Sequence, residues 1–347
     1  MNSFSYQTHA VKVLFNQPII KAIGDQIPST AKKIGLIASK RFDNLAKEIN
    51  NLPQVEQVVH FSEVTQHVPQ SLVETAVSFF WENPVDIMLC VGGGSAVGLG
   101  KAVVLQVDAQ LWAAPTTYSG SEMTNIYGIS ADGVKTVKRD DRVHPKVVIY
   151  DPSLSSSLPL SVALPSAFNA LAHLVEAVYS VESNPITQSL TKLGIETILR
   201  ALHQIKTVGV LDSTAHSDLL FGAYVGGKVL CEVSMGLHHK AAHVLGGNFN
   251  LEHAHIHTLL LPYVMEYQWP FLKQSHKSIY QEVFKAENPA EALLTLQESL
   301  GYGFKLEQLG FASSQIPQAV AYLMQMNYPN PAPMDEKRLS GMLEKAL

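Results

Sequence analysis

Only two cysteines, Cys90 and Cys231, occur in 347 residues. This excludes a disulfide framework and points to the cytoplasm as the compartment. Cys90 sits inside an apolar run and reads as a small core residue. No block of Lys or Arg of the kind that tracks phosphates is present, and the formal net charge is -5. Nucleic acid and anionic membrane are therefore poor partners. No apolar stretch reads as long enough to cross a bilayer. The opening residues, MNSFSYQTHAVK, lack a basic segment followed by an apolar one, so no signal peptide is expected. Internal repeats and low-complexity tracts are missing as well.

What is present changes character midway. The first half alternates short apolar runs, at 34–38, 55–61, 85–91, 110–114 and 147–150, with helix-length segments such as 70–81 and 95–106. That alternation predicts a largely parallel sheet covered by helices. Phe4 and Tyr6, then Val11, Val13 and Phe15, alternate in a way that predicts an additional N-terminal hairpin, whose strand would offer an edge for a dimer. After Asp151-Pro152 the helical period takes over. Helices are expected at 164–182, 185–208, 216–233 and 235–247, with weaker ones at 277–286, 289–299, 314–326 and 335–346. Pro329, Pro331 and Pro333 interrupt the pattern before the last of these. The expected organisation is an α/β domain at 1–155 and an all-α domain at 156–347.

Two turns in the first half suit a phosphate-bearing ligand. The run Val85 to Val91 enters Gly92-Gly93-Gly94-Ser95 and then a helix. Such a turn aims free backbone N–H groups and a helix dipole at an anion, and its glycines admit a pyrophosphate close to the backbone. It is not a Walker A loop, because Ser95 stands where the first glycine is required and Ala102 replaces Ser/Thr. Val97 also occupies the last glycine position of the GxGxxG fingerprint. A tight strand-to-helix turn without ligand is the plainer alternative. After the next strand, Pro115-Thr116-Thr117-Tyr118-Ser119-Gly120-Ser121 supplies hydroxyls for phosphate, ribose or carboxamide. Successive strand ends are where open α/β sheets bind ligands. Gly93, Gly94, Ser95, Thr116, Thr117 and Ser121 are the expected cofactor contacts.

Fourteen histidines are many for this length, and they cluster in the helical half. Asn169 and His173 lie four apart on one expected helix, as do His239 and His243 on another, followed by His253, His255 and His257. Such pairs chelate a metal, or bind an anion when protonated.

These segments resemble the iron-containing (type III) alcohol dehydrogenase family over nearly the whole chain and in the same order. The turn Gly92 to Ser95 resembles its pyrophosphate loop. Pro115-Thr116-Thr117 with Ser121-Glu122-Met123-Thr124 resembles its nicotinamide-side loop. The segments Ala167 to Ala177 and Gly236 to His253 resemble its two metal-binding helical stretches. In metal-dependent members the position of Asn169 is Asp, a ligand, and the position of Lys240 is Gly. With Asn169, His173, His238-His239-Lys240 and His253-Ala254-His255, the chain is most similar to the maleylacetate reductase branch. The resemblance implies a Rossmann-like N-terminal domain, a helical catalytic domain and a homodimer. It also implies NAD(H) as cofactor, with NADP(H) left open, and no metal. The implied reaction is reduction of the carbon–carbon double bond of maleylacetate to 3-oxoadipate in aromatic catabolism.

Residue chemistry agrees. Maleylacetate is a dianionic small molecule. Asn in place of Asp removes a negative charge from the pocket, and Lys240 adds a positive one. The implied catalytic set is His243, His173, His239, His253, Lys240 and Asn169. Two alternatives stay open. His173, His239 and His253 form a three-histidine set that can bind zinc, which would make a metal-dependent alcohol dehydrogenase or aldehyde reductase. The same loops would also serve a non-catalytic dinucleotide sensor. Glu63, after the second apolar run, is the candidate acidic reader of the ribose.

Overall fold

The computed structural model describes residues 3–66, 68–131 and 134–347, with backbone alone at 134, 135 and 253. It divides into two compact units. One is Gln7–Pro159; the other is Leu160–Leu347 joined by the N-terminal residues up to Tyr6, whose hydroxyl donates to Glu232 Oε2 (3.0 Å).

The first unit is a six-stranded sheet. Its strands are β1 (Lys12–Phe15), β2 (Lys33–Ile37), β3 (Gln57–Phe61), β4 (Ile87–Gly92), β5 (Gln110–Pro115) and β8 (Val147–Tyr150), in the order β1-β8-β5-β4-β2-β3. Every neighbouring pair is parallel. Central β4 is buried along its whole length, which explains its unbroken apolar run. Helices α1 (Ile19–Gln26), α2 (Asp43–Asn50), α3 (Gln70–Glu82) and α4 (Gly94–Val103) connect the strands.

The expected N-terminal hairpin does not form. Only β1 is a strand, and it pairs in parallel with β8. Gln7-Thr8-His9-Ala10 offers none of the residues that a two-residue turn demands, so no reversal occurs there. The hairpin of this unit lies elsewhere: β6 (Ile126–Ala131) and β7 (Val134–Arg139) pair antiparallel. Burial is intermediate all along β6, so the strand carries no sharp apolar–polar alternation to read.

The second unit is helical: α5 (Leu160–Tyr179), α6 (Pro185–Val208), α7 (Ser213–Glu232), α8 (Leu237–Phe249), α9 (His253–Gln268), α10 (Gln274–Phe284), α11 (Pro289–Ser299), α12 (Ile316–Gln325) and α13 (Glu336–Ala346). By length and composition α5 passes as a membrane span, contrary to the expectation that no stretch would, but 83% of that window is buried inside the protein. Its apolarity serves the core, where α5 packs on α6, α7 and α9. A Cβ on Gly226 of α7 would stand 3.1 Å from the Ala170 carbonyl oxygen, so glycine lets α7 lie close against α5. Helix α9 had no sequence signal of its own: Pro262 lies inside it, and apolar residues surround it on most sides.

Candidate active site

In the Gln7–Pro159 unit the functional edge is made of backbone. Helix α4 opens on Gly93, which brings no side-chain cap, so the amides of Gly94 and Ser95 meet no capping group and can serve a ligand. The glycine turn and the threonine turn are tied by Thr116 N–H donating to Gly92 O (2.9 Å). A Cβ on Gly93 would lie 3.0 Å from Thr117 Cγ2, and one on Gly94 3.3 Å from Ser119 Oγ. The two turns thus form a cradle with no room for a side chain, which fits a dinucleotide pyrophosphate. Thr116 is buried, and its Oγ1 accepts from Arg41 Nη2 (3.0 Å). Gly93, Gly94, Ser95, Thr117 and Ser121 remain partly accessible.

Arg41 and Lys101 had escaped sequence reasoning; Glu63, the candidate ribose reader, had not. Arg41 follows β2, the strand beside β4, and puts a guanidinium at the sheet's C-terminal edge. Glu63 follows β3, which β2 separates from β4. Lys101, which resembled a phosphate-binding lysine only in its Gly-Lys context, is fully buried. Its Nζ donates to the carbonyls of Ser121 (2.6 Å), Thr124 (2.7 Å) and Ile126 (2.8 Å) and to Thr124 Oγ1 (2.9 Å). It is an internal strut holding the end of the threonine turn. Glu122, beside it, accepts from the Tyr150 hydroxyl (2.8 Å), and burial pushes its carboxyl up to about 7.

In the helical unit the site is made of side chains, His173 and His239 among them buried. Asn169 and His173 share a face of α5, and His239 comes from the first turn of α8. The rings of His173 and His239 stack with centroids 4.9 Å apart. Desolvation holds both imidazoles well below their usual range, so both are neutral; for His239 the charges of His243 and Lys240 act in the same direction. Asn169 Oδ1, His173 Nδ1 and His239 Nε2 are buried without a hydrogen-bond partner. Buried polar atoms are rarely left so unless a ligand completes them.

Lys240 is half-buried, with Nζ 6.0 Å from the centre of the Tyr328 ring. His243 is exposed, one turn beyond buried His239. The side chain of His253 lies outside the described residues; its backbone opens α9. Glu176, His238 and His257 had been given no role by the sequence. Glu176 is buried on α5, seven residues after Asn169 and three after His173, a spacing that places all three on adjoining turns of one face. Its oxygens accept from the backbone N–H of His238 (2.8 Å) and His239 (3.2 Å) and from the Tyr179 hydroxyl (3.1 Å), and Oε2 is hydrogen-bonded to His239 Nδ1. Burial lifts its carboxyl above the usual range, and these donors together with His238 oppose that rise. Buried His238 and His257 are hydrogen-bonded through Nε2 and Nδ1 (3.0 Å).

The expectation that no metal is needed does not stand. His9 and His144, stacked in the first unit (4.6 Å, 6°), belong to a group of ligand-type side chains able to hold a metal ion. The expectation weighed only the changes at Asn169 and Lys240. Ligands so far apart in sequence leave no spacing signal.

The chain was compared with known proteins. Residues 10–152 match the iron-containing alcohol dehydrogenase family, and residues 163–347 match the C-terminal Fe-containing alcohol dehydrogenase family. Maleylacetate reductase of Delftia acidovorans is 34% identical over 345 residues, covering 99% of this chain and 97% of that protein. Maleylacetate reductase 1 of Cupriavidus pinatubonensis is 35% identical, covering 100% and 98%. Among solved structures, maleylacetate reductase from Agrobacterium tumefaciens superposes with a TM-score of 0.93 at 30% identity, covering 100% of this chain and 98% of that one. With its parallel sheet, glycine turn and histidine-bearing helices matched end to end, the chain belongs to the iron-containing alcohol dehydrogenase family, in the branch of the maleylacetate reductases.

Proposed function

We propose that this chain is an NAD(P)H-dependent maleylacetate reductase, converting maleylacetate to 3-oxoadipate in aromatic catabolism. The observation that carries this reading is end-to-end likeness to maleylacetate reductases at 34–35% identity. When bound, the dihydronicotinamide supplies the hydride that reduces the double bond. The first-turn amides of α4, Gly93, Gly94, Ser95, Thr116, Thr117 and Ser121 bind and orient it, with residues 1–155 as the nucleotide domain and 156–347 as the catalytic one. Hydride reaches the alkene carbon β to the ketone, negative charge gathers on the ketone oxygen, and a proton is added at the α carbon.

The substrate's two carboxylates favour a cation in the pocket. Lys240 is assigned to hold a carboxylate or the developing enolate oxygen. His243, exposed to solvent, orients substrate or relays the proton. Asn169, His173, His239 and His253 complete the pocket. We place the enzyme in the cytoplasm as a homodimer without nucleic-acid or membrane partners; β1, at the edge of the sheet, is the candidate strand for a second copy to meet.

A second reading is supported by the partnerless Asn169 Oδ1, His173 Nδ1 and His239 Nε2, a donor set that also fits a divalent ion. An ion held there would act as a Lewis acid on a carbonyl oxygen, suiting an alcohol dehydrogenase or aldehyde reductase. NADH oxidation measured with maleylacetate, then with short aldehydes, before and after chelation, tests both. Turnover of maleylacetate supports the first reading. Turnover confined to aldehydes and abolished by chelator replaces it with the second, and NADH binding without turnover would leave only a sensor.

A further inference from the structure

The first turn of α8 has no capping side chain of its own, because its N-cap is Gly236. Its orphan N–H groups are satisfied from elsewhere. Leu237 N–H donates to Asn330 Oδ1 (3.3 Å), and His238 and His239 N–H donate to the two oxygens of Glu176 (2.8 and 3.2 Å). A Cβ at Gly236 would stand 3.3 Å from Glu176 Oε1, so glycine lets the carboxylate reach the helix end. A carboxylate at a helix N-terminus is the favourable sign of charge for the dipole.

The same carboxylate also reaches a side chain. Glu176 Oε2, which already accepts the backbone N–H of His239, is hydrogen-bonded to Nδ1 of the same residue. The ring is therefore gripped at two points, and its other nitrogen, Nε2, is buried with no partner. Backbone N–H groups can only donate, so both Glu176 oxygens already act as acceptors; these donors favour the carboxylate, and a carboxylate Oε2 takes its second hydrogen bond from a proton on Nδ1. We propose that Glu176 is a positioning residue that fixes His239 as the tautomer protonated on Nδ1, so that Nε2 offers a lone pair beside Asn169 and His173. His239 then acts on the substrate as a hydrogen-bond or proton acceptor, and the donors to a developing oxyanion come from other residues. The catalytic part of this inference rests on the function proposed above; the tautomer does not.

The test is nitrogen-15 NMR of the full chain with labelled histidine, His239 being assigned through its backbone. The expected wild-type spectrum shows His239 protonated on Nδ1. Glu176→Gln puts an NH2 group among the donors, and the expected result is a switch of His239 to the Nε2-protonated form. With it, kcat should fall about 10- to 100-fold, the usual range for a residue that orients a site histidine, with the NADH dissociation constant unchanged. A merely structural cap would alter stability without moving the tautomer. Protonation on Nε2 in the wild type overturns the proposal, and so does a Gln variant with unchanged tautomer and kcat. If the Gln variant does not fold, the wild-type spectrum alone decides. A wild type that carries the Nδ1 proton but leaves maleylacetate untouched refutes the proposed function and leaves the positioning role standing.

Discussion

The two units build their sites from opposite materials. The glycine and threonine turns use main-chain amides and the absence of side chains, and they leave most of their groups partly accessible. The histidine pocket uses side chains, centred on buried His173 and His239 with Glu176 behind them. A backbone cradle recognises what every dinucleotide shares, a pyrophosphate, and is damaged by adding atoms. A buried side-chain pocket sets reaction and substrate, and is damaged by removing or misorienting them.

The largest effect should come from the pocket. His239→Ala is expected to lower kcat about 10²- to 10⁴-fold, the usual worth of a positioned acid or base, with NADH binding unchanged in a fluorescence titration. A parallel loss of NADH affinity would erase the division between the two materials. Gly93→Val attacks from the other side. Its new atoms meet Thr117, and overpacking of about 1–3 kcal/mol corresponds to a roughly tenfold or hundredfold weaker NADH complex. Activity at saturating cofactor should survive; if affinity is intact, the cradle assignment is lost.

Lys240→Met sharpens the comparison within the pocket. Removing a charged hydrogen-bond donor worth about 1.5–3 kcal/mol should cost one to two decades in kcat/KM for maleylacetate. Loss confined to KM would make Lys240 a carboxylate holder, equal loss in kcat and kcat/KM would place its contact in the transition state, and wild-type kinetics would remove it from the site.

The smallest effect is in stability and belongs to the α/β unit. Glu122 is raised by burial from 4.5 to about 7. The folded state keeps the proton over that window while the unfolded chain loses it, so the stability Glu122 contributes is present below 4.5 and lost as pH rises towards 7. The slope is at most about 1.4 kcal/mol per pH unit. Urea midpoints for wild type and Glu122→Gln, taken at several pH values, should diverge in that window; superimposable profiles would refute the shift.

Sequence patterns served best where one local feature carries the meaning. The buried run ending in Gly92-Gly93-Gly94, the helix signals at 185–208 and 289–299, and the i, i+4 pair Asn169 and His173 each lie within a few turns of chain. They served worst where patterns were weak or misleading. Pro262 hid α9, the evenly half-buried β6 hid a hairpin, and alternation at the N-terminus suggested a hairpin that had no turn to make it.

By itself the sequence determined the change from alternating strands and helices to helices alone, the glycine turn and the family, because periodicity and close spacing are properties of neighbouring residues. Only the tertiary structure decided that Lys101 is a strut, that Arg41 meets Thr116, and that Glu176 grips His239 from 63 residues away. Hydrogen-bond partners are set by where helices and strands pack, and packing brings together groups whose separation in the chain carries no signal.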